Sequence, residues 1–171
     1  MGNNLKDAQG RTVVAVTGMG LVTSLGWGKA ASWAQLTLGR SGIKTITRFP
    51  TDSLRTTIAG TVEHAEGQTI SAPDLTLAMA RFAADEALMQ AGLTEAPGFP
   101  GPLFVATPPA ELEWPQRKTL YEHAGLENLQ GYDRLLAAAR TGAFKNMFDM
   151  FQFATVADHL AAALAPRGLP V

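Results

Sequence analysis

A short run of β-branched and apolar residues near the start of the chain places the strongest constraint on its fold. Residues 12–17 read TVVAVT and do not alternate between apolar and polar positions. A half-buried strand alternates, whereas a continuous apolar run is typical of a strand covered on both faces. Because covering both faces requires helical layers, this segment predicts a central strand of an α/β fold.

Glycines punctuate the loop directly after this strand, and residues 29–38 then predict a helix. A strand, a glycine-rich turn and a helix also form the dinucleotide-binding motif, in which backbone amides hold a pyrophosphate at the helix N-terminus. Here Thr23 stands at the third glycine position, and no acidic residue follows about 20 residues later. We therefore expect Gly18 and Gly20 to make a tight turn between tightly packed layers, and we predict no cofactor.

Later segments continue the alternation of strands and helices. Residues 58–62 and 103–106 predict short strands, and residues 73–91 predict a helix that is apolar nearly all round and buried between layers. Ser71 is a suitable N-cap for this helix and Gly92 a suitable end. A last helix is predicted from an apolar stripe at Phe153, Val156, Leu160 and Leu164. Residues 169–171 predict the opening of another strand, so we expect the chain to cover only part of a larger fold.

Composition places the chain among ordinary globular proteins. It has 171 residues, 46% of them hydrophobic, with 14 Lys+Arg against 15 Asp+Glu, and a compact chain of this size buries about 70% of its unfolded surface. The absence of a basic stripe predicts no nucleic-acid partner. The absence of a signal peptide and of a long apolar segment predicts no membrane partner and a cytoplasmic location. With no cysteine, these residues contain no disulfide, no cysteine-ligated metal and no cysteine nucleophile.

The titratable side chains predict neither a catalytic residue nor a metal ligand within the chain. His64, His123 and His159 are far apart in sequence and lack metal-ligand spacing. For His159, a partly buried structural histidine is favoured over a general base. Two carboxylate pairs are expected to lie on solvated surfaces. They are Asp85 with Glu86, and Glu111 with Glu113.

A segment dense in phenylalanine and methionine provides candidate binding residues. Residues 144–153 hold six such side chains, among them Met147 and Phe148, which supply adaptable apolar volume. They could line an acyl pocket or a subunit interface, and an ordinary hydrophobic core is an equally good interpretation.

Several segments occur in an informative order. These are VVAVTGMGLVTSLG at 13–26, WAQLTLGRSGI at 33–43, ALMQAGL at 87–93, and ADHL at 157–160, followed by Arg167, Gly168 and Pro170. Taken together, they resemble the N-terminal half of the β-ketoacyl-acyl-carrier-protein synthases, which are condensing enzymes of the thiolase superfamily. The resemblance implies a layered α-β-α-β-α, thiolase-like architecture. It also implies a domain at 12–171 that stops before the nucleophile strand and helix. The first ten residues are polar and include two glycines, so a flexible tail is predicted at 1–11.

The resemblance implies a decarboxylative Claisen condensation of acyl thioesters in fatty-acid or polyketide synthesis. In the family a cysteine takes the acyl group from a carrier-protein thioester, while two histidines and a lysine assist malonyl decarboxylation and oxyanion stabilisation. All four groups are expected beyond Val171, so the chain alone is expected to be inactive. The implied partners are acyl carrier protein, acyl and malonyl thioesters, and a second subunit in a homodimer or heterodimer.

One departure from the family pattern concerns the substrate. Typical members have a glycine-rich loop after the third strand, in a region that borders the acyl pocket, and here Thr107 and Pro109 occupy that region. Thr107, Pro109, Met147 and Phe148 are therefore the predicted substrate-binding residues. The departure also favours an alternative, a non-catalytic partner subunit like the chain-length factors. A third hypothesis is a self-contained α/β domain that binds a small ligand.

Overall fold

The computed structural model describes residues 6–64, 71–94, 98–107, 113–123, 125–149 and 152–170. Across these ranges the chain is mixed α/β, with six helices and four short strands. In chain order they are β1 (Val22–Thr23), β2 (Gly26–Trp27), α1 (Lys29–Thr37), β3 (Ile43–Thr45), β4 (Ile58–Gly60), α2 (Ala72–Ala91), α3 (Trp114–Tyr121), α4 (Gly131–Arg140), α5 (Lys145–Asp149) and α6 (Phe153–Leu164).

The strands form two antiparallel ribbons of two strands each. β1 pairs with β2, so that Val22 lies opposite Trp27. β3 pairs with β4, so that Ile43 lies opposite Gly60. The strand predicted at 58–62 is thus confirmed over its first three residues.

Two of the predicted core strands are wrong for the described residues. In 12–17 only Thr12 makes a β-bridge, to Lys6, and 103–106 has no strand partner. Residues 13–16 are exposed, with Val14 at 89%. In 103–106, Phe104 is 72% exposed, while Leu103 and Val105 are half-buried. Residues 169–170, where the opening of a strand was predicted, also have no strand partner among the described residues. Val171 lies outside the described residues. β-Branched residues favour a strand only where ladder partners and a covering layer are also supplied.

The long helix α2 begins and ends as its sequence predicts. The Ser71 hydroxyl accepts a hydrogen bond from the Asp74 backbone N–H at 3.3 Å, which satisfies one of the free amides of the first turn. Gly92 then adopts a left-handed conformation with φ 70°, and the Leu93 N–H donates to the Leu88 carbonyl at 3.0 Å. This is the usual glycine-terminated helix end.

The helices pack in two pairs, α2 with α6 and α3 with α4. Val156, Leu160 and Leu164 are buried on α6, which confirms three members of the predicted stripe; the side chain of Phe153 lies outside the described set. The second pair buries Leu120 and Ala138. Burial of α2 on all sides is a wrong prediction, because exposed side chains on this helix include Phe82 and Met89. The described helices include none long and apolar enough to cross a membrane.

The chain leaves more surface in water than a compact domain of its size. Its solvent-accessible area is 12393 Å², against about 8,100 Å² for a folded protein of 18.1 kDa. The extended chain would expose about 26,000 Å², so folding buries about half of it rather than the expected 70%. Exposed apolar segments such as 13–16 contribute to the difference.

Residues 6–12 form a turn around Asp7. Its Oδ1 accepts backbone hydrogen bonds from Gln9 and Arg11, both at 2.9 Å, and its Oδ2 accepts from Arg11 Nε at 2.7 Å. The hydrogen bonds from Arg11 lower the pKa of Asp7 below its usual value. Residues 1–5 lie outside the described ranges, and the flexible tail over 1–11 stays a prediction.

Candidate functional site

The glycine-rich loop lies directly on the backbone of α2. A Cβ atom added to Gly18 would lie 2.0 Å from the Ala87 carbonyl oxygen, and one added to Gly20 would lie 1.9 Å from the Ala83 carbonyl oxygen. No side chain fits at such distances, so both positions require glycine. This confirms the close packing expected at the two glycines, while no turn is assigned at 18–20.

Glu86 ties this loop and the start of α1 to α2. Its Oε1 accepts the Lys29 backbone N–H at 2.9 Å, and its Oε2 accepts the Leu21 N–H at 3.1 Å. The bond from Lys29, followed by the bond from Leu21 and the nearby Lys29 charge, lowers the pKa of Glu86, while desolvation opposes the shift. The carboxylate therefore serves as the cap that Gly28, which has no side chain, cannot provide.

Gln90 makes a second attachment one turn further along α2. Its Oε1 accepts the Met19 backbone N–H at 3.0 Å and also accepts a hydrogen bond from Lys29 Nζ. The same ammonium donates to the Met19 carbonyl at 2.5 Å. Glu86 and Gln90 are four residues apart and share one face of the helix. We call these two side chains with Lys29 the loop clamp.

The loop clamp bears on the dinucleotide hypothesis. A pyrophosphate would need the free N–H groups at the start of α1, yet the Lys29 N–H already donates to the carboxylate of Glu86. A second anion beside that carboxylate would be repelled. The geometry therefore agrees with the sequence in giving this loop a packing role.

An apolar groove of about 540 Å³ runs between the loop and α1. Its base includes Ser32, which is buried and shares a 2.9 Å hydrogen bond with the Thr23 hydroxyl. Ser32 also donates to the Gly26 carbonyl at 3.1 Å. The rest of the lining is Met19, Leu21, Ser24, Leu25, Lys29, Trp33 and Leu36. With Thr23, Ser32 and Lys29 already hydrogen-bonded, the groove offers mainly apolar contact.

Glu113 anchors α3 to the start of α2. Its Oε1 accepts the Ala72 backbone N–H at 2.8 Å and forms an ion pair with Arg48. Its own N–H donates to Gln116 Oε1 at 2.9 Å, which completes a capping box at α3. The expectation that Glu113 lies on a solvated surface is therefore wrong, while Glu111 lies outside the described residues.

Two further depressions lie between the paired helices. One, of about 380 Å³, is lined by Trp114, Arg117, Lys118, Tyr121, Glu122 and Leu135, and the Arg134 guanidinium lies 4.6 Å from the centre of the Tyr121 ring. The other, of about 310 Å³, lies between α2 and α6. The exposed ion pair of Arg81 with Asp85, at 2.9 Å, lies at its edge.

The comparisons with known proteins identify the family. Residues 11–98, just over half of the chain, match the family model of the β-ketoacyl synthase N-terminal domain. The chain belongs to the β-ketoacyl synthase family. None of the proteins of curated function matches it significantly in sequence. The glycine loop, α1 and α2 all lie within the matched residues.

This ketosynthase-family chain also resembles solved structures. Among them is that of the ishigamide ketosynthase/chain length factor, with a TM-score of 0.59 and 24% sequence identity. The match covers 91% of this chain and 38% of the other. At this identity the likeness shows the fold, and the chain spans well under half the length of that relative.

The predicted substrate-binding residues of this ketosynthase-family chain lie in two places. Thr107 is half-buried at the end of the described range 98–107, and Met147 is half-buried on α5. Phe148 is also on α5, but its side chain lies outside the described set. Pro109 as a whole lies outside the described residues. Neither Thr107 nor Met147 lines any of the three depressions above. Their role in binding substrate stays a prediction.

The three histidines lie in separate environments. His64 meets the Trp27 ring edge-on, with ring centroids 6.1 Å apart. His123 meets Phe144 in the same way at 5.1 Å. His159 is exposed on α6, so the expectation of partial burial is wrong. The part of the chain that the structure describes holds no cluster of three metal-ligating side chains.

Sequence reasoning missed Glu86, Gln90 and Glu113 as the side chains that assemble this region. Asp85 is exposed as expected, but its neighbour Glu86 is half-buried against the loop. A signal was present, because Glu86 and Gln90 are polar residues four positions apart on a largely apolar helix. For Glu113, the capping-box partner Gln116 three residues later was the available signal.

Proposed function

We propose that this chain supplies the N-terminal part of a β-ketoacyl-acyl-carrier-protein synthase, an acyltransferase of fatty-acid or polyketide synthesis. The family match over residues 11–98 carries the proposal. The packing of Gly18 and Gly20 on α2 supports it, because this arrangement lies inside the matched segment. We further propose a cytoplasmic location and assembly as a homodimer or heterodimer.

In the proposed reaction, a cysteine thiolate displaces the carrier thiol from an acyl thioester and becomes acylated. A malonyl thioester then loses CO₂, and the resulting carbanion attacks the acyl-enzyme carbonyl and expels the thiolate. Hydrogen-bond donors stabilise the oxyanion in both addition steps. Because this chain has no cysteine, the nucleophile belongs to another part of the complete enzyme. This chain's own contribution is to position the loop, α1 and α2 through the loop clamp.

The finer architecture is part of the same proposal. We assign residues 12–171 to one N-terminal domain of the layered α-β-α-β-α, thiolase-like kind, preceded by a flexible tail at 1–11. The likeness to a solved ketosynthase structure over 91% of the chain supports this assignment. The exposed apolar segment 13–16 also supports it, because a strand of a layered fold would need a second layer over that face.

For the substrate, we propose that Thr107, Pro109, Met147 and Phe148 border an acyl pocket, with acyl carrier protein delivering the acyl and malonyl thioesters. Half-burial of Thr107 and Met147 is compatible with a wall that becomes fully covered in the complete enzyme. No metal or organic cofactor enters the proposed reaction.

A chain-length-factor-like partner subunit is the second candidate. The matching solved structure is that of a ketosynthase/chain length factor, so the shared fold is compatible with either role. A self-contained ligand-binding domain receives less support, because the exposed area of 12393 Å² exceeds that of a compact protein of this mass.

A chimera tests the proposed function. Residues 12–170 would replace the corresponding N-terminal part of an active β-ketoacyl synthase, and mass spectrometry would measure 3-oxoacyl product from acyl and malonyl carrier proteins. We expect product from the chimera and none from this chain alone or from the synthase lacking its N-terminal part. A folded chimera that forms no product would contradict the catalytic proposal. If the chimera forms no product itself but changes the chain length of the product made by an intact synthase, the partner-subunit candidate is favoured.

A further inference from the structure

The depression beside α3 collects aromatic and cationic side chains on one face of that helix. Its residues on α3 follow the spacing of neighbouring helical turns, so they form a single stripe. They are Trp114, Arg117, Lys118, Tyr121 and Glu122, and α4 adds Leu135. We call this depression of about 380 Å³ the α3 groove. Its volume lies within the range of small-molecule sites, about 300–1,000 Å³.

The α3 groove is built on a packed and capped pair of helices. Leu120 is 2% exposed and Ala138 is 0% exposed, so another face of α3 packs tightly on α4. The first turn of α3 is fixed by the capping box of Glu113 with Gln116. A ligand that enters the groove therefore meets an ordered surface, which lowers the entropic cost of binding.

Two aromatic rings of the α3 groove are exposed to solvent. Trp114 is 73% exposed and Tyr121 is 39% exposed. The Arg134 guanidinium lies 4.6 Å from the centre of the Tyr121 ring, and this cation–π contact orients the ring. The Trp114 indole keeps most of its surface open, so a second flat ring can stack on it. Exposed tryptophan, tyrosine and arginine side chains on an ordered surface are typical of binding sites.

The charges that line the α3 groove favour a ligand with a single negative charge. Arg117 and Lys118 are balanced by one carboxylate, that of Glu122, which leaves one net positive charge. Lys118 Nζ lies 3.8 Å from Glu122 Oε1 in an exposed pair, and such a pair contributes little. A guanidinium has five N–H donors and an ammonium three, so both can bind a carboxylate in addition to partners within the chain.

The charges next to the lining do not change this balance. Hydrogen bonds from the backbone N–H groups of Glu127 and Gly125, and after them the charges of Arg134 and His123, lower the pKa of Glu127. Glu127 and Arg134 are therefore close enough to offset each other. The Arg134 Nε is buried and makes no hydrogen bond within the described residues, so this side chain acts through the Tyr121 ring.

The other two depressions offer a weaker combination in the part of the chain that the structure describes. In the groove between the loop and α1, Lys29 is already bonded to Met19 and Gln90. In the depression between α2 and α6, Arg81 forms a 2.9 Å ion pair with Asp85. Only the α3 groove combines an exposed tryptophan with two cations and one net positive charge.

We propose that the α3 groove binds a planar aromatic carboxylate. The ring of the ligand stacks on Trp114 and contacts Leu135, while its carboxylate accepts hydrogen bonds from Arg117 and Lys118. This inference does not depend on the proposed function, because the α3 groove lies outside the family-matched residues 11–98. The chimera described above measures product formation and is not affected by the outcome of the binding test.

The test is a heteronuclear NMR titration of the 171-residue chain with 2-naphthoate. We expect saturable shifts with a dissociation constant below about 1 mM. The Trp114 indole N–H signal is expected to move, while those of Trp27 and Trp33 stay in place. Two matched probes separate the contributions, since naphthalene-2-methanol lacks the charge and decahydronaphthalene-2-carboxylate lacks the flat ring. Each is expected to bind about fivefold more weakly or worse.

Variants locate the site within the chain. Trp114→Leu removes the ring but keeps apolar contact, and it is expected to weaken 2-naphthoate binding by about fivefold. The double variant Arg117→Gln with Lys118→Gln is expected to weaken it by about tenfold. Trp33→Leu, at a second exposed tryptophan, and Lys145→Gln, at an exposed lysine on α5, are the controls and are expected to bind normally. Unchanged circular dichroism will show that these surface variants still fold.

Four outcomes would overturn the inference. They are the absence of saturable shifts up to about 10 mM probe, shifts at the Trp33 indole in place of the Trp114 indole, and equal binding of 2-naphthoate and either matched probe. The fourth is a change in the α3 signals when the chain alone is diluted, because a second copy would then cover the groove. Binding of 2-naphthyl phosphate about tenfold tighter than 2-naphthoate would contradict the assignment of a singly charged ligand.

Discussion

Residues 18–28 and the segment directly before them, 13–16, differ sharply in how the chain holds them. The first lies against α2. Gly18 packs on the Ala87 carbonyl, and Glu86 accepts hydrogen bonds from the backbone N–H groups of Leu21 and Lys29. The second is exposed and lacks a strand partner in the described ranges. What differs is whether the described part of the chain supplies a partner for the backbone.

The largest expected effect is at the contact between the loop and α2. Gly20→Ala places a methyl group 1.9 Å from the Ala83 carbonyl oxygen, so the loop must move and the loop clamp must break. We expect a loss of about 3 kcal/mol or more in the free energy of unfolding, measured by urea denaturation.

Gly39→Ala is the matched control for this substitution. Gly39 has open space around it and φ +67°, so alanine there is expected to cost about 1 kcal/mol through backbone strain alone. Equal losses for the two variants would show that the loop does not lie against α2 in solution, and would remove the contrast with 13–16.

Valine-to-alanine substitutions at one buried and one exposed position test whether residues 13–16 are exposed. Val156 on α6 is 7% exposed and Val16 is 79% exposed. Val156→Ala is expected to lower the free energy of unfolding by about 2 kcal/mol, because it removes buried methyl groups and leaves a cavity. Val16→Ala is expected to change it by less than about 0.5 kcal/mol. A comparable loss at Val16 would mean that 13–16 is covered in the isolated chain.

These contrasts explain which parts of the fold could be predicted from sequence. The ends of α2 depend on Ser71 and Gly92, whose effects are local, and the stripe on α6 depends on a spacing within one helix. The helix ends were confirmed, as were three members of the stripe, Val156, Leu160 and Leu164. The strand at 12–17 depends on neighbours that its own residues do not specify, and β-propensity alone predicted a ladder that the described chain does not supply.

The predictions for the candidate site also divide into those that depend on local sequence and those that depend on distant contacts. The packing role of Gly18 and Gly20 followed from a departure from a known motif, which is a local observation. The role of Glu86 requires contact with Leu21, which is 65 residues away, and no local pattern specifies that distance. Thr107 and Met147 were selected by resemblance and by composition, and both remain predictions.

A smaller effect is expected where α3 joins the family-matched region. The ion pair of Arg48 with Glu113 is partly buried, with about a third of each side chain exposed or less, and Glu113 also caps α2. A double-mutant cycle with Arg48→Ala and Glu113→Ala is expected to give a coupling energy of about 1 kcal/mol.

The exposed pair of Arg81 with Asp85 provides the comparison for this cycle, since it lies within one helix with nearly half of each side chain exposed. Its coupling is expected to be about 0.3 kcal/mol. Equal couplings would show that Glu113 does not anchor α3 more firmly than a surface pair does.

The smallest effect is the dependence of the loop clamp on pH. Folding lowers the pKa of Glu86 below its usual value of 4.5, chiefly through the Lys29 backbone hydrogen bond. A lowered pKa means that the ionised carboxylate stabilises the folded state above pH 4.5, and that this contribution is lost as the pH falls from there through the folded-state value.

Glu86→Gln removes the ionisation while keeping one oxygen that can accept a hydrogen bond. The urea midpoint of the wild type is therefore expected to exceed that of Glu86→Gln at about pH 7, and the two are expected to converge towards about pH 3. Asp85→Asn, on the exposed side of the same helix, controls for the loss of one carboxylate. A gap between wild type and Glu86→Gln that stays constant with pH would show that the Glu86 charge does not hold the loop, and that the difference from residues 13–16 rests on the glycine contacts alone.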